Sequence, residues 1–126
     1  MAGLEAAKPI VVVCTRNRTR AATFYRDTLG LTLRSEDDLA TAFDVGGTTV
    51  HVSTVADFTP HEHTILGFKV SDVEAAVIGL RERGVVFTIY PGFNQDQLGI
   101  LTVPGTATRV AWFKDPDGNV LSVTDA

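Results

Sequence analysis

His51 stands in a run of strand-forming residues, Thr48-Thr-Val-His-Val-Ser53. An imidazole there can exchange a proton near neutral pH or donate a hydrogen bond to a bound molecule. The competing reading is a half-exposed strand histidine. Further on, His61-Glu62-His63 places two imidazoles at i and i+2 around a carboxylate. In an extended chain they share a face, which is the spacing of a metal tract. Pro60 precedes them, and the alternative is a solvated connection. His51 paired with His63 is the one route to a shifted metal site. Trp112, the single tryptophan, offers a flat apolar surface and an indole N–H for a planar ligand. A core or dimer-interface tryptophan is the alternative. Tyr90, Phe93 and Gln95 lie in or beside a long loop and suit a wall or lid. Lys69 could meet an anionic group, or be a solvated rim charge.

Other candidates are thinner. A nucleophilic thiol at Cys14 would need a base or cation beside it, and only Arg16 is near in sequence. A buried inert cysteine is the alternative. Arg16, Arg18, Arg20 and Arg26 form a basic cluster that also reads as a solvated helix face. No Walker loop, GxGxxG, HExxH or GxSxG pattern occurs.

The elements that must hold these groups fit one domain. The chain has 126 residues, 44% of them hydrophobic. A chain of this size buries about two-thirds of its unfolded surface. Eleven Lys and Arg against fifteen Asp and Glu give a net charge of -4. That balance carries no general attraction for nucleic acid or an anionic membrane. One cysteine excludes an internal disulfide and a multi-cysteine metal cluster. The apolar stretch Pro9 to Cys14 is far short of the roughly 20 residues of a membrane span. It also lacks the form of a secretory signal. The expectation is a protein of the reducing cytoplasm, with residues 1–8 as a flexible lead-in.

Ile10 to Cys14 is continuously apolar and mostly β-branched, so it predicts a buried strand. Arg18 to Leu29 predicts a helix, with Ala21, Phe24, Tyr25 and Thr28 as its apolar stripe, Asn17 as N-cap and Gly30 as stop. Strands follow at Thr32–Ser35, Ala40–Val45 and Thr48–Ser53, with Gly46-Gly47 turning the hairpin. After a polar connection at 54–62 the order returns. Thr64–Val70 is a strand. Ser71 with Glu74 forms a capping box ahead of a helix whose stripe is Val73, Ala76, Val77 and Leu80, ended by Gly84. Strands at Val85–Tyr90, Gly99–Val103, Arg109–Lys114 and Val120–Thr124 complete the chain, with Asp115-Pro-Asp-Gly-Asn119 as the last turn. Ala21-Ala22 and Gly30 return as Ala75-Ala76 and Gly84, which marks an internal repeat.

A βαβββ unit used twice, with Phe24-Tyr-Arg-Asp-Thr-Leu-Gly30 closing the first helix and Trp112-Phe-Lys-Asp-Pro-Asp-Gly-Asn119 before the last strand, resembles the vicinal oxygen chelate superfamily. That superfamily holds glyoxalase I, extradiol dioxygenases, fosfomycin-resistance transferases and bleomycin-resistance proteins. The resemblance covers about residues 9–125. It implies an α+β fold: two tandem βαβββ modules, about 9–55 and 63–125, forming a curved mixed sheet around a cleft in one glyoxalase-like domain. It also implies a homodimer. Neither motif is catalytic, so neither specifies a reaction.

Metal-dependent members place His or Glu on the cleft side of the first and last strands of each module. Carried over, those positions fall at Ile10, near His51, at Ile65 and at Ser122. Two isoleucines have no lone pair, and serine is a poor ligand for a divalent cation. The expectation is therefore no metal and no cofactor. Strand alternation puts Ile10, Val12, Thr49, His51, Ile65, Gly67, Trp112 and Ser122 on the face away from the helices, with Val110 and Lys114 beside Trp112. A mostly apolar pocket with a few polar groups is the usual form of a small-molecule site. Gly67 would leave it room. The expected function is metal-independent binding, and sequestration, of an aromatic or amphipathic compound at those eight residues. The alternative is an enzyme of the superfamily, a lyase, isomerase or dioxygenase, with a reduced or shifted site in which His51 is catalytic. A structural or regulatory dimer without ligand is a further reading. No nucleic-acid or membrane partner is expected.

Overall fold

Ile10–Thr15 (β1) is a strand as its β-branched run predicts, but it is not the buried strand expected: Val13 and Thr15 are buried while Ile10 and Val12 are exposed, because the sheet is covered by a helix on one face only. The computed structural model of the chain describes residues 3–126. Met1 and Ala2, part of the expected lead-in, lie outside the described residues. The chain divides into two units, Met1–Phe58 and Thr59–Ala126.

In the first unit β1 is followed by a helix at Arg18–Thr23 (α1) and by strands Thr32–Glu36 (β2), Ala40–Val45 (β3) and Thr48–Thr54 (β4). The sheet order is β1-β4-β3-β2, with β1 parallel to β4 and the other pairs antiparallel. The second unit repeats it. Thr64–Lys69 (β5) precedes a helix at Val73–Glu82 (α2), then Leu101–Thr102 (β6), Arg109–Lys114 (β7) and Val120–Thr124 (β8). Its sheet order is β5-β8-β7-β6, again with the first strand parallel to the last. Two four-stranded mixed sheets, each with a helix on one face, make an α+β protein of two similar modules. No helix among the described residues is long and apolar enough to cross a membrane.

Each helix buries its stripe on its own sheet. In the first unit Ala21 and Tyr25 are buried with Val13, Phe43, Val50 and Val52. The Tyr25 ring lies 6.1 Å from that of Phe43. In the second unit Val73 and Val77 are buried with Ala111, Phe113, Leu121 and Val123. Burying one such aliphatic side chain contributes about 1.5–3 kcal/mol, so each unit has its own source of stability.

Asn17 caps α1 as expected, its Oδ1 accepting from the Arg20 N–H at 3.1 Å. The helix does not run on to Leu29 as a plain α-helix. Phe24–Thr28 is a π-helical turn. The carbonyl of Tyr25 is taken by the Leu31 N–H at 3.0 Å, and the Leu29 N–H reaches back five residues to Phe24 O at 2.9 Å. In the second unit the cap is Asp72, not Ser71. The Asp72 carboxylate accepts from the Ala75 N–H at 3.0 Å. Glu74 therefore sits one place too early for a capping box. Two neighbouring residues could both cap, and the charged one also meets the positive end of the helix. Gly84, at φ 93°, ends α2 with its N–H on Arg81 O and the Val85 N–H on Leu80 O. That paired ending needs a left-handed residue. Gly46 and Gly47, both at positive φ, form the β3–β4 hairpin turn in the same way.

The expected strand at Val85–Tyr90 is not formed. Phe87 makes a single bridge to Phe113, and the Thr88 N–H donates to Trp112 O at 2.8 Å. Gln95 takes over the remaining polar groups. Its Oε1 accepts from the Tyr90 N–H at 2.7 Å, and its Nε2 donates to Thr88 O and Gly99 O at 2.9 and 2.8 Å. Apolar alternation survives, with Val85 and Phe87 buried and Val86 and Ile89 exposed. A side-chain amide thus satisfies the backbone where a ladder was expected. The expected strand at 99–103 shortens to β6 because Gly99 O is engaged by Gln95 and both backbone groups of Ile100 are engaged by Asp96.

Candidate functional site

Two residues apart on a strand means the same face, so Val110, Trp112 and Lys114 of β7 look one way while Ala111 and Phe113 are buried on the helix side. Ladder pairing extends this face across the second unit's sheet. Trp112 stands opposite Ser122, which stands opposite Gly67. Lys114 stands opposite Val120, which stands opposite Thr64. Register is held at its closed end by the Asp115–Asn119 turn. The buried Asp115 carboxylate accepts from the Asp117 N–H, the Asn119 N–H and the Asn119 side-chain amide, each at 2.9 Å. This is why β7 and β8 meet with Trp112 against Ser122 and not one residue off.

Ile65 departs from the alternation. Thr64 pairs with Val120 but Leu66 pairs with Leu121, so Ile65 is an extra residue in a bulge. Thr64 therefore joins the Val120 side, and Thr64 lines the hollow described next. Gly67 does not hold open space. A Cβ built there would come 3.0 Å from Ser122 Oγ, so the serine hydroxyl fills the room the glycine leaves. Ser122 itself is buried.

The loop pinned by Gln95 brings two aromatic rings onto Trp112. Tyr90 meets it edge-on at 5.5 Å and Phe93 lies at 5.7 Å, while Tyr90 and Phe93 are 5.7 Å apart. Beside them is a hollow of about 360 Å³, with Thr64 and Val120 as its floor and Glu62 and His63 at its edge. A second hollow of about 520 Å³ adjoins it, sharing Glu62, Tyr90 and Val120 and adding Pro60, His61, Lys114 and Gly118. His61 and His63 stack, with ring centroids 4.8 Å apart. Tyr90 and Phe93 thus take the wall role expected of them. Thr64 was not foreseen: the bulge that turns it toward Val120 leaves no mark in the sequence.

The other four expected residues lie in the first unit. Ile10 pairs with Thr49, and Val12 with His51. Ile10 and Val12 are 56% and 55% exposed, an uncovered apolar stretch, while Thr49 and His51 are half-buried. Ala42 flanks His51 on the other side. The Asp37 carboxyl is held below the ordinary carboxylate range, first by the backbone N–H groups of Ala40 and Leu39 at 2.9 and 2.8 Å, then by the charges of Arg18 and His51. Cys14 is half-buried.

Among the described residues no group of three or more His, Cys, Asp or Glu side chains is placed to hold a metal ion. Ile10 and Ile65 have no lone pair to offer such an ion, and the Ser122 hydroxyl is a poor ligand for one.

Known structures share this architecture. A glyoxalase family protein from Enterococcus faecalis matches with a TM-score of 0.72 at 19% identity, over 91% of this chain and 94% of that one. A glyoxalase/bleomycin resistance protein/dioxygenase from Alicyclobacillus acidocaldarius matches with a TM-score of 0.70 at 16% identity, over 98% and 93%. The oxidase ChaP-H2 matches with a TM-score of 0.69 at 20% identity, over 95% and 94%. No curated protein matches the chain. The Glyoxalase model, described as the Glyoxalase/Bleomycin resistance protein/Dioxygenase superfamily, matches residues 9–123. With two βαβββ modules built on nearly its whole length, the chain belongs to the Glyoxalase/Bleomycin resistance protein/Dioxygenase superfamily.

Proposed function

We propose that this protein is a metal-independent small-molecule binder that sequesters an aromatic or amphipathic compound against Trp112. The observation that carries the reading is the convergence of Tyr90, Phe93 and Trp112 on one hollow of about 360 Å³. Aromatic walls with a few polar groups at the edge suit a planar ligand. Stacking contributes about 1 kcal/mol beyond burial. Titration calorimetry with planar aromatic compounds should therefore show binding that Trp112→Ala weakens at least about fivefold. Binders whose affinity ignores Trp112→Ala would overturn the reading. Elemental analysis of untagged protein should find metal well below one ion per chain. One ion per chain, lost in His51→Ala, would refute metal independence.

The uncovered Ile10 and Val12 suit coverage by a second copy, so the proposal includes a homodimer. Sedimentation at micromolar concentration should give twice the chain mass.

A second reading rests on His51. A half-buried imidazole set between Val12 and Ala42 in the ladder can exchange a proton with a bound molecule. If the protein is an enzyme, His51→Gln abolishes turnover while ligand binding at Trp112 persists.

A further inference from the structure

We infer that the compound held at Trp112 carries an anionic group, and that Lys114 is the residue that receives it. The inference rests on the aromatic-site reading and names the chemical class of its ligand. Trp112 and Lys114 are two residues apart on β7 and point the same way, about 7 Å apart along the strand. The hollow beside Trp112 and the one beside Lys114 meet along Glu62, Tyr90 and Val120. A flat ring system on Trp112 with an acidic substituent at its end spans that distance.

The groups that can donate to an anion stand around the second hollow. The Lys114 side chain makes no ion pair or hydrogen bond among the described residues, so its ammonium is unspent. His63 lines the first hollow and His61 the second, and Glu62 is the one carboxylate-bearing residue lining both. Lys114 is the one lining side chain that carries a full positive charge at neutral pH, and imidazole N–H groups beside it can donate to an acidic substituent. A cation enclosed by rings is the rival arrangement. Here the three rings touch one another, tilted and with centroids only 5.5 to 5.7 Å apart, which leaves little room between them for an enclosed cation.

Three probes of one ring size separate the cases: naphthoate, its neutral carboxamide, and naphthylmethylammonium. The single indole N–H of Trp112 gives one signal in a proton–nitrogen correlation spectrum, and its shift reports occupancy beside that ring. All three probes should move the signal. Naphthoate should bind about threefold to fivefold tighter than the carboxamide, the range of an exposed ion pair. That preference should vanish in Lys114→Met and shrink at high salt. Equal affinity for naphthoate and carboxamide would overturn the anion assignment and leave the aromatic site standing. So would a preference for the ammonium probe that Glu62→Gln removes. If no probe moves the Trp112 signal, the aromatic reading falls and the anion assignment falls with it.

Discussion

Gly67 and Ser122 face each other across the parallel pair of β5 and β8, so closely that a Cβ on Gly67 would come 3.0 Å from Ser122 Oγ. The glycine serves the sheet, letting a buried hydroxyl fit between strands, and does not enlarge a ligand pocket. Gly67→Ala should lower stability by about 1–2 kcal/mol through overpacking. In a Ser122→Ala background the same change should cost clearly less, because the crowding atom is gone. Urea midpoints of the four proteins give the coupling. An unchanged cost in both backgrounds would place the strain elsewhere.

Gln95 supports the aromatic wall from behind. Gln95→Ala strips partners from the Tyr90 N–H, Thr88 O and Gly99 O together. Losing a partner costs about 1–3 kcal/mol for a buried group, less where water reaches it. Exchange of the Tyr90 amide should speed up by at least about tenfold, with a smaller change in β8 amides. Uniform acceleration across both would show that Gln95 holds the whole unit and not the loop.

The Asp115 turn sets the Trp112–Ser122 register. Asp115→Ala leaves three donors without an acceptor in a buried turn and should destabilise by about 3 kcal/mol or more. Asp115→Asn keeps one carbonyl oxygen and should lose less. Thermal unfolding of the two variants, ranked against the parent, tests the order.

Asp37 gives a pH signature. Its folded-state carboxyl is lowered by the Ala40 and Leu39 backbone N–H groups. A lowered carboxylate stabilises the fold above its unfolded pKa, and this contribution disappears as pH falls through the lower folded value. The stability gap between the parent and Asp37→Ala should be full at neutral pH and close in the acid range below the ordinary carboxylate pKa. A gap that stays constant into strong acid would mean that the loop does not depend on the charge.

Local chemistry alone determined the repeat, the two helices and most strands of this protein. β-branched runs, stripes at helical spacing and glycine pairs act over a few residues, so Ile10 to Cys14 extends as a strand, though with Ile10 and Val12 exposed, and Asn17, Gly46-Gly47 and Gly84 behave as their types require. The Asp-Pro-Asp-Gly-Asn turn and the aromatic pair Tyr90 and Phe93 were legible in the same way. Tertiary structure decided three things that no local pattern carries. Gln95 reaches Thr88, Tyr90 and Gly99 through a loop, and so replaces the strand that alternation at Val85–Tyr90 predicts. Ladder competition between β5 and β8 expels one residue at Ile65, which turns Thr64 toward Val120. The Tyr25 carbonyl is claimed by Leu31, which widens the end of α1 into a π turn. In each case the deciding partner is a hydrogen-bonding group whose position depends on how the chain returns, and strand or helix periodicity says nothing about where that group will be.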